Sequence, residues 1–378
     1  MTTAAAIKPQ HASFSATVSA KKLLSAIKVV LGTARPSPSE LLTRVLVEQT
    51  ARNITLSSTD VLNTTRVMLL RTSMRGVGSA HIHPAGLFAF VQSAARSSDE
   101  VELAFDSGAL TVKAGGRKLC KFSGYGEEYP TLPTAPNAEP LSIERRALLA
   151  LLTDAVRFAS KDEHRTHLNG VLLHRVDGAL LAVATDGTRL VKLSHAMPGA
   201  SGALRALIPR KSVMLWINAL KSAVSDDVEL RVTSGSAQLS AAPFTLFARP
   251  AEATFPPYEH VIATSWDREL ELPREPVDSM ARIALAMRTN RRAVPCLTLS
   301  SDGYGALRIA SSNTDDATVE ESIPYSGAGF KVSVSARIML DALSLGREPQ
   351  LTLRVSGDLD PMQLVSERAT AVLMPMRV

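Results

Sequence analysis

The apolar positions along the chain switch between two periods, and the switches recur. FSATVSAKKLLSAIKVV, from Phe14, begins as an alternating strand and passes into helical spacing. The same step returns in LSIERRALLALLTDAV from Leu141 and in LELPREPVDSMARIALAM from Leu270. Val18, Leu23, Leu24 and Ile27 map onto Ile143, Leu148, Leu149 and Leu152 at a constant offset of 125, while the third segment matches in pattern more than in identity. A second strand-to-helix step appears in IHPAGLFAFVQSA from Ile82, IPRKSVMLWINAL from Ile208 and VSARIMLDALSL from Val334, at spacings of 126 and 126. A long period carried three times predicts three copies of one fold.

Between the helical stretches the alternation is that of half-buried strands. VLVEQTARNITLSS (45–58), VELAFDSGALTVKAG (101–115), VELRVTSGSAQLSA (228–241) and LTLSSDGYGALRIASS (297–312) each read as two strands joined by a turn of Gly, Asn, Asp or Ser. Each copy is therefore expected to be α+β, with two helices packed on one face of antiparallel sheet. Proline-rich joins at YPTLPTAPNAEP (129–140) and around PREP (273–276) predict boundaries near 138 and 266, giving domains 1–138, 139–266 and 267–378.

Composition narrows the classes. The chain has 378 residues, 45% hydrophobic and 21% charged, which is globular. No apolar run approaches the roughly 18 residues of a membrane span, and MTTAAAIKPQHASF lacks the order of a secretory signal. A cytoplasmic protein is expected. Cys120 and Cys296 stand alone, without metal or redox spacing, and read as small core residues in a reducing compartment. The net charge of +6 suggests an anionic partner only weakly. Position says more: Lys21-Lys22, Arg145-Arg146 and Arg210-Lys211 sit at or near helix starts, with Arg291-Arg292 just beyond another helix.

Catalytic chemistry is hard to find. The chain has no phosphate-cradling loop, dinucleotide fingerprint, nucleophile elbow or His-Glu-x-x-His. His81 and His83 alternate on a predicted strand, and His164 and His167 stand three apart. Neither pair has Cys or carboxylate partners at ligand spacing, so both read as solvated or partner-facing histidines before they read as metal ligands.

The distinctive stretch is RTHLNGVLLHRVDGALLAVATDGTRLVKL, 165–193. Its TDGT (185–188) taken alone is an ordinary turn between strands. Taken with SKDEHRTHLNG (160–170), IPRKSV at 208, FPPYEHV at 255, the final LMPMRV and the threefold repeat, it resembles the bacterial sliding clamps, the β subunits of replicative DNA polymerase. The resemblance spans essentially the whole chain.

That resemblance implies a non-catalytic processivity subunit of the polymerase holoenzyme, with no metal and no cofactor. Its protomer has three domains and dimerises head to tail into a six-domain ring, helices lining the hole and strands forming the outer wall. Three domains each turning a sixth of a circle close after two chains, which keeps a head-to-tail contact from propagating. Partners implied are duplex DNA without sequence preference, a second copy of the chain, the polymerase catalytic subunit, an ATP-dependent clamp loader, and repair and translesion polymerases, with no membrane. Lys21, Lys22, Arg35, Arg145, Arg146, Arg210 and Lys211 would face the duplex. Arg117 and Lys118 of one copy would meet Glu320 and Glu321 of the next. A client-peptide pocket would use Leu168, Thr185, Gly187, Arg189, Leu190, Pro256, Val261, Val372, Met374, Pro375, Met376, Arg377 and Val378, with Arg189 supplying one polar contact to the peptide. Departures from the family pattern at His260, Val294, Ile338 and Val378 leave the peptide specificity open. A clamp-like scaffold that binds clients but is rarely loaded stands as the alternative function, and an enzyme using the His pairs as a remote third.

Overall fold

A computed structural model describes residues 13–377 except 35–36, 38, 107, 117, 125–128, 199–203, 289–293 and 313–316. One succession of elements, β-α-β-β-β taken twice, is traversed three times. The first pass is β1 (Phe14–Ser19), α1 (Ala20–Leu31), β2 (Val45–Gln49), β3 (Ile54–Thr59), β4 (Asn63–Leu69), an extra β5 (Arg71–Arg75), β6 (Gly78–Ile82), α2 (Pro84–Ala94), β7 (Glu100–Asp106), β8 (Ala109–Ala114) and β9 (Lys118–Ser123). The second is β10 (Leu141–Glu144), α3 (Arg145–Ala155), β11 (Gly170–Val176), β12 (Ala179–Thr185), β13 (Arg189–Ala196), β14 (Leu204–Pro209), α4 (Arg210–Ser222), β15 (Asp227–Val232), β16 (Ala237–Ala241) and β17 (Phe244–Ala248). The third is β18 (Arg268–Pro273), α5 (Arg274–Ala286), β19 (Cys296–Ser301), β20 (Ala306–Ser312), β21 (Thr318–Pro324), β22 (Phe330–Ser335), α6 (Ala336–Leu343), β23 (Gln350–Val355), β24 (Met362–Val365) and β25 (Ala369–Leu373).

The periods in the sequence place these elements correctly. β1 alternates buried and half-buried positions along its length, and α1 then buries Leu23, Ala26, Ile27 and Val30 on one face. α1 packs on α2 and across β3 and β4, while α5 packs on α6 and across β19 to β21.

The chain folds into two compact units that cut across the second pass: 1–149 with 211–250, and 150–210 with 251–378. The first unit holds a five-stranded sheet, β5-β1-β7-β8-β9, and an eight-stranded one, β10-β15-β16-β17-β4-β3-β2-β6. The second holds a four-stranded sheet, β21-β20-β19-β22, and an eight-stranded one, β14-β11-β12-β13-β25-β24-β23-β18. All the pairings are antiparallel. Each eight-stranded sheet is two four-stranded halves from different passes, joined by one pairing: Phe244↔Val67 between β17 and β4, and Leu193↔Ala369 between β13 and β25. Backbone hydrogen bonding is thus continuous across each join, with no half-sheet left to end in an exposed edge there.

His83 leaves the strand to precede α2 and lies 3.3 Å from Glu40, whereas His81 is fully buried on β6, beside the Tyr129 ring. The two therefore do not share a face. Cys120 and Cys296 are free and half-buried, and burial pushes the Cys296 thiol pKa up. Among the described residues no helix is long and apolar enough to cross a membrane, and no three His, Cys, Asp or Glu side chains gather as a metal site.

Candidate functional site: a turn, a tail and their buried support

The TDGT stretch is the turn between β12 and β13, and its own hydrogen bonds account for its residues. The Thr185 hydroxyl donates to the Arg189 carbonyl at 2.7 Å and accepts from the Gly187 N–H at 3.1 Å. Asp186 Oδ1 accepts from the Thr188 N–H at 2.9 Å, its hydroxyl at 2.7 Å and the Arg189 N–H at 3.2 Å. Gly187 has φ +93°, and a Cβ there would come 3.1 Å from Arg165 Nη2. Arg165 approaches because its Nη1 donates to the Asp186 carbonyl at 3.0 Å. Glycine serves both the backbone conformation and that close approach, and the turn is tied to the 160–170 loop.

The hydrophobic tail lies on this turn. β25 is a central strand, with Ala371, Val372 and Leu373 buried. Beyond it, the Met374 N–H donates to the Thr188 carbonyl at 3.0 Å and the Met376 N–H to the Ser333 carbonyl at 2.7 Å. Met374 remains 40% exposed, Pro375 and Met376 are half-buried and Arg377 is exposed; Val378 lies outside the described residues. Leu190 and Val372 pack in one cluster with Leu172, Leu181, Val183, Leu207, Phe255 and Tyr258. Pro256 lies between those two aromatics in the chain and is half-buried; Val261 is 43% exposed, and Leu168 is buried. The tail thus carries the partly exposed Met374, Pro375 and Met376 just beyond a strand whose Val372 packs into an aliphatic and aromatic core.

Arg189 plays a different part from the contact expected of it. Its Nε pairs with Asp186 Oδ2 at 2.9 Å and its Nη1 with Asp341 Oδ2 at 2.6 Å. Its Nη2 donates to the Arg157 carbonyl at 2.8 Å, and the guanidinium stacks 4.8 Å from the Phe158 ring centroid. All three guanidinium nitrogens are engaged inside the protein, so Arg189 holds the turn to α6 and to the end of α3. Asp154 continues the network, accepting from Arg157 at 2.7 Å and from Arg368 at 2.6 Å. Asp341, Arg157 and Asp154 escaped the sequence reading because the bonds that tie them to Arg189 and Arg368 span 32 to 214 positions; a charged residue on the apolar face of α6 was the available signal.

A second polar cluster backs the same core. His174 Nδ1 lies 3.1 Å from the Tyr258 hydroxyl and accepts from Arg205 Nη1 at 3.1 Å; Arg205 also faces Glu259 at 3.8 Å. Burial, and then the Arg205 charge, hold the His174 imidazole pKa below its ordinary value, with Glu259 opposing. Burial, followed by Glu259, pushes the Tyr258 phenol up.

The basic groups divide. Lys21, Lys22 and Arg146 are exposed at their helix starts. Arg145 turns back, its Nε donating to the Ser225 carbonyl at 2.9 Å and its Nη1 to that of Leu220 at 3.3 Å. Arg210 likewise donates to the Val156 carbonyl, and burial and the Arg189 charge hold its pKa down. Lys211 is exposed but pairs with Asp60 at 2.5 Å. Arg35 and Arg117 lie outside the described residues. Lys118 begins β9, an outer strand of the five-stranded sheet, and Glu320 and Glu321 lie on β21, an outer strand of the four-stranded sheet.

Comparison with known proteins agrees with this arrangement. Residues 143–257 match the family model described as the central domain of the DNA polymerase III beta subunit. The chain is 26% identical to the beta sliding clamp of Chlamydia trachomatis over 361 residues, covering 94% of this chain and 84% of that one. It is also 26% identical to the beta sliding clamp of Pseudomonas aeruginosa over 376 residues, covering 96% and 99%. In fold it is similar to the DNA polymerase III beta subunit of Thermotoga maritima, with a TM-score of 0.87 at 17% identity, covering 97% of this chain and 100% of that one. The sliding clamp of P. aeruginosa bound to griselimycin also superimposes at a TM-score of 0.87, at 22% identity and the same coverage. Residues 143–257 thus match the central domain of the DNA polymerase III beta subunit, and over nearly its whole length the chain is similar in sequence to bacterial beta sliding clamps and shares their fold.

Proposed function

We propose that this chain is the non-catalytic DNA clamp of a bacterial replicase: it encircles duplex DNA, tethers the polymerase and so makes synthesis processive. The observation that carries the reading is the internal bookkeeping of strand edges. β4 and β13 occupy corresponding places in their passes, as do β17 and β25, and each such pair is joined within the chain. By the same correspondence β21 and β9 are the remaining pair, and each lies unjoined at the edge of its sheet. A second copy supplies the missing partner for each, and two head-to-tail joints close the assembly. The three domains, 1–138, 139–266 and 267–378, then appear twice each, making six domains around the DNA.

In this reading Lys21, Lys22, Arg146 and Lys211 contact phosphates without reading sequence, while Arg145 and Arg210 hold helix ends in place. Client peptides from the polymerase, the clamp loader and repair and translesion polymerases dock beside Met374, Pro375 and Met376. The protein works in the cytoplasm, where the chromosome is. The test is loading onto nicked circular DNA by a clamp loader. Loaded protein should stay at salt that abolishes binding to short duplexes, and leave when the circle is linearised. Deleting Met374 to Val378 should weaken a labelled Gln-Leu-x-Leu-Phe-type peptide by about two orders of magnitude, through several lost apolar contacts of roughly 1 to 2 kcal/mol each. Loss from intact circles at that salt would make it an ordinary basic DNA-binding protein, and unchanged peptide affinity would remove the pocket from the tail.

A further inference from the structure

The first unit contains an open cleft whose apolar walls take no part in the proposed DNA contact, which reaches only the two lysines at its edge. It measures about 380 Å³, within the size range of ligand sites, and lies between the start of α1, the exit of β4, the end of α4 and the β16–β17 turn. Its walls are mainly apolar: Val67 and Phe244 are buried beneath it, while Met68, Leu70 and Val224 are 45%, 72% and 79% exposed. Lys21 and Lys22 stand at its edge, exposed, and neither pairs with a carboxylate among the described residues. Apolar side chains gathered in an open hollow and rimmed by polar groups mark a surface that something uses.

The internal repeat offers a control. In the second unit the corresponding turn, between β24 and β25, makes the corresponding bond: Ser194 N–H to the Arg368 carbonyl at 3.0 Å, as Met68 N–H donates to the Pro243 carbonyl at 3.0 Å. There the corner is polar and occupied. Arg368 Nη2 pairs with Asp154 at 2.6 Å, its Nε donates to the Leu345 carbonyl at 3.0 Å, and the Glu367 N–H donates to Glu348 at 3.0 Å. At the same places the first unit carries Pro243 and Ala242, with Val224, Met68 and Leu70 around them. One frame thus builds the corner twice, closed by ion pairs in one copy and left apolar beneath two lysines in the other.

We propose that this cleft is a second docking site, separate from the tail pocket, for a partner protein segment that inserts one large apolar side chain and sets flanking carboxylates against Lys21 and Lys22. Charge complementarity selects the acidic flanks. The apolar floor selects the anchor. Single-stranded nucleic acid would need an exposed ring on which to stack a base, and the cleft's one aromatic, Phe244, is 2% exposed.

The test titrates the full chain with a fluorescein-labelled Asp-Glu-Trp-Asp-Glu peptide, its Lys-flanked counterpart and labelled oligothymidine, reading anisotropy. The acidic peptide should saturate and the Lys-flanked one bind at least tenfold more weakly. Leu70→Glu and Val224→Glu, both at exposed positions and checked by thermal unfolding, should each weaken the acidic peptide tenfold or more. They should leave a Gln-Leu-x-Leu-Phe-type peptide unaffected. A protein lacking 374–378 should bind the acidic peptide as well as the intact chain, so this result stands apart from that of the tail pocket. Failure to saturate, indifference to both glutamate substitutions, loss on tail deletion or preference for oligothymidine would each overturn the proposal, the last assigning the cleft to nucleic acid.

Discussion

At the scale of single residues, two positions show what sequence reading could and could not reach. Arg189 lies in a recognisable motif, but its role follows from Asp341, 152 positions away. Arg189→Ala should leave the carboxylate of Asp341, itself buried, with only the 3.5 Å contact to the exposed Arg337, and release the 185–189 turn. A loss of about 3 kcal/mol is expected, in the range for breaking one side of a buried pair. Urea unfolding measures it, and an unchanged midpoint would return Arg189 to the role of a surface contact. Val61 holds the place in the first pass that Gly187 holds in the second. Thr59 and Asp60 make the same turn bonds there, the Thr59 hydroxyl to the Asn63 carbonyl at 3.1 Å and the Asn63 N–H to Asp60 Oδ1 at 2.7 Å. Val61 adopts φ +76° without being glycine, a costly conformation for a β-branched side chain, and at 74% exposure it loses little packing if cut back. Val61→Gly should therefore raise stability by up to about 1 kcal/mol, the relieved strain of roughly 1 to 2 kcal/mol exceeding the entropy glycine adds to the unfolded chain. A lower melting temperature would show that the valine is held by something other than the turn.

Among elements, legibility followed sequence distance. The strand-to-helix steps at Phe14, Leu141 and Leu270 and the paired strands between them were readable because period two and period 3.6 are local properties. The extra strand β5 was not singled out, since RTSMR carries no apolar alternation. Nor were the β17–β4 and β13–β25 joins, because every edge strand looks alike until its partner is known. Tyr258 meets His174 in the same long-range way, and that contact makes a pH prediction. In the unfolded chain His174 takes its proton near pH 6.5; in the folded chain burial and Arg205 delay it to lower pH. Within that window the unfolded state binds more protons, so the contribution of His174 to stability is complete above about pH 7 and declines as pH falls toward the folded value. Urea midpoints between pH 7.5 and 5 should fall less steeply in His174→Gln than in the parent. Equal slopes would mean that the imidazole titrates alike in both states.

For the molecule as a whole, the repeat makes the proposed joint between copies specific enough to test residue by residue. Carrying the register of Phe244 opposite Val67 and of Ala369 opposite Leu193 over to β9 and β21 sets Lys118 of one copy opposite Glu321 of the next. Cysteines at both positions should form a covalent dimer under mild oxidation, whereas a pair displaced by two residues should not. Monomer from both would remove the joint. Exposed charge pairs contribute about 0 to 1 kcal/mol each, so the strand pairing and its apolar contacts carry most of the affinity. The join of β13 to β25 also has a consequence in time. β13 ends at Ala196 and its neighbour β25 begins at Ala369, so a ribosome making roughly 5 to 20 residues per second needs on the order of ten to thirty seconds to deliver the missing strand. Throughout that interval the nascent chain presents β13 as an open edge, exposed to chaperones and to neighbouring nascent chains, and the second unit cannot reach its final form until Leu373 has been made.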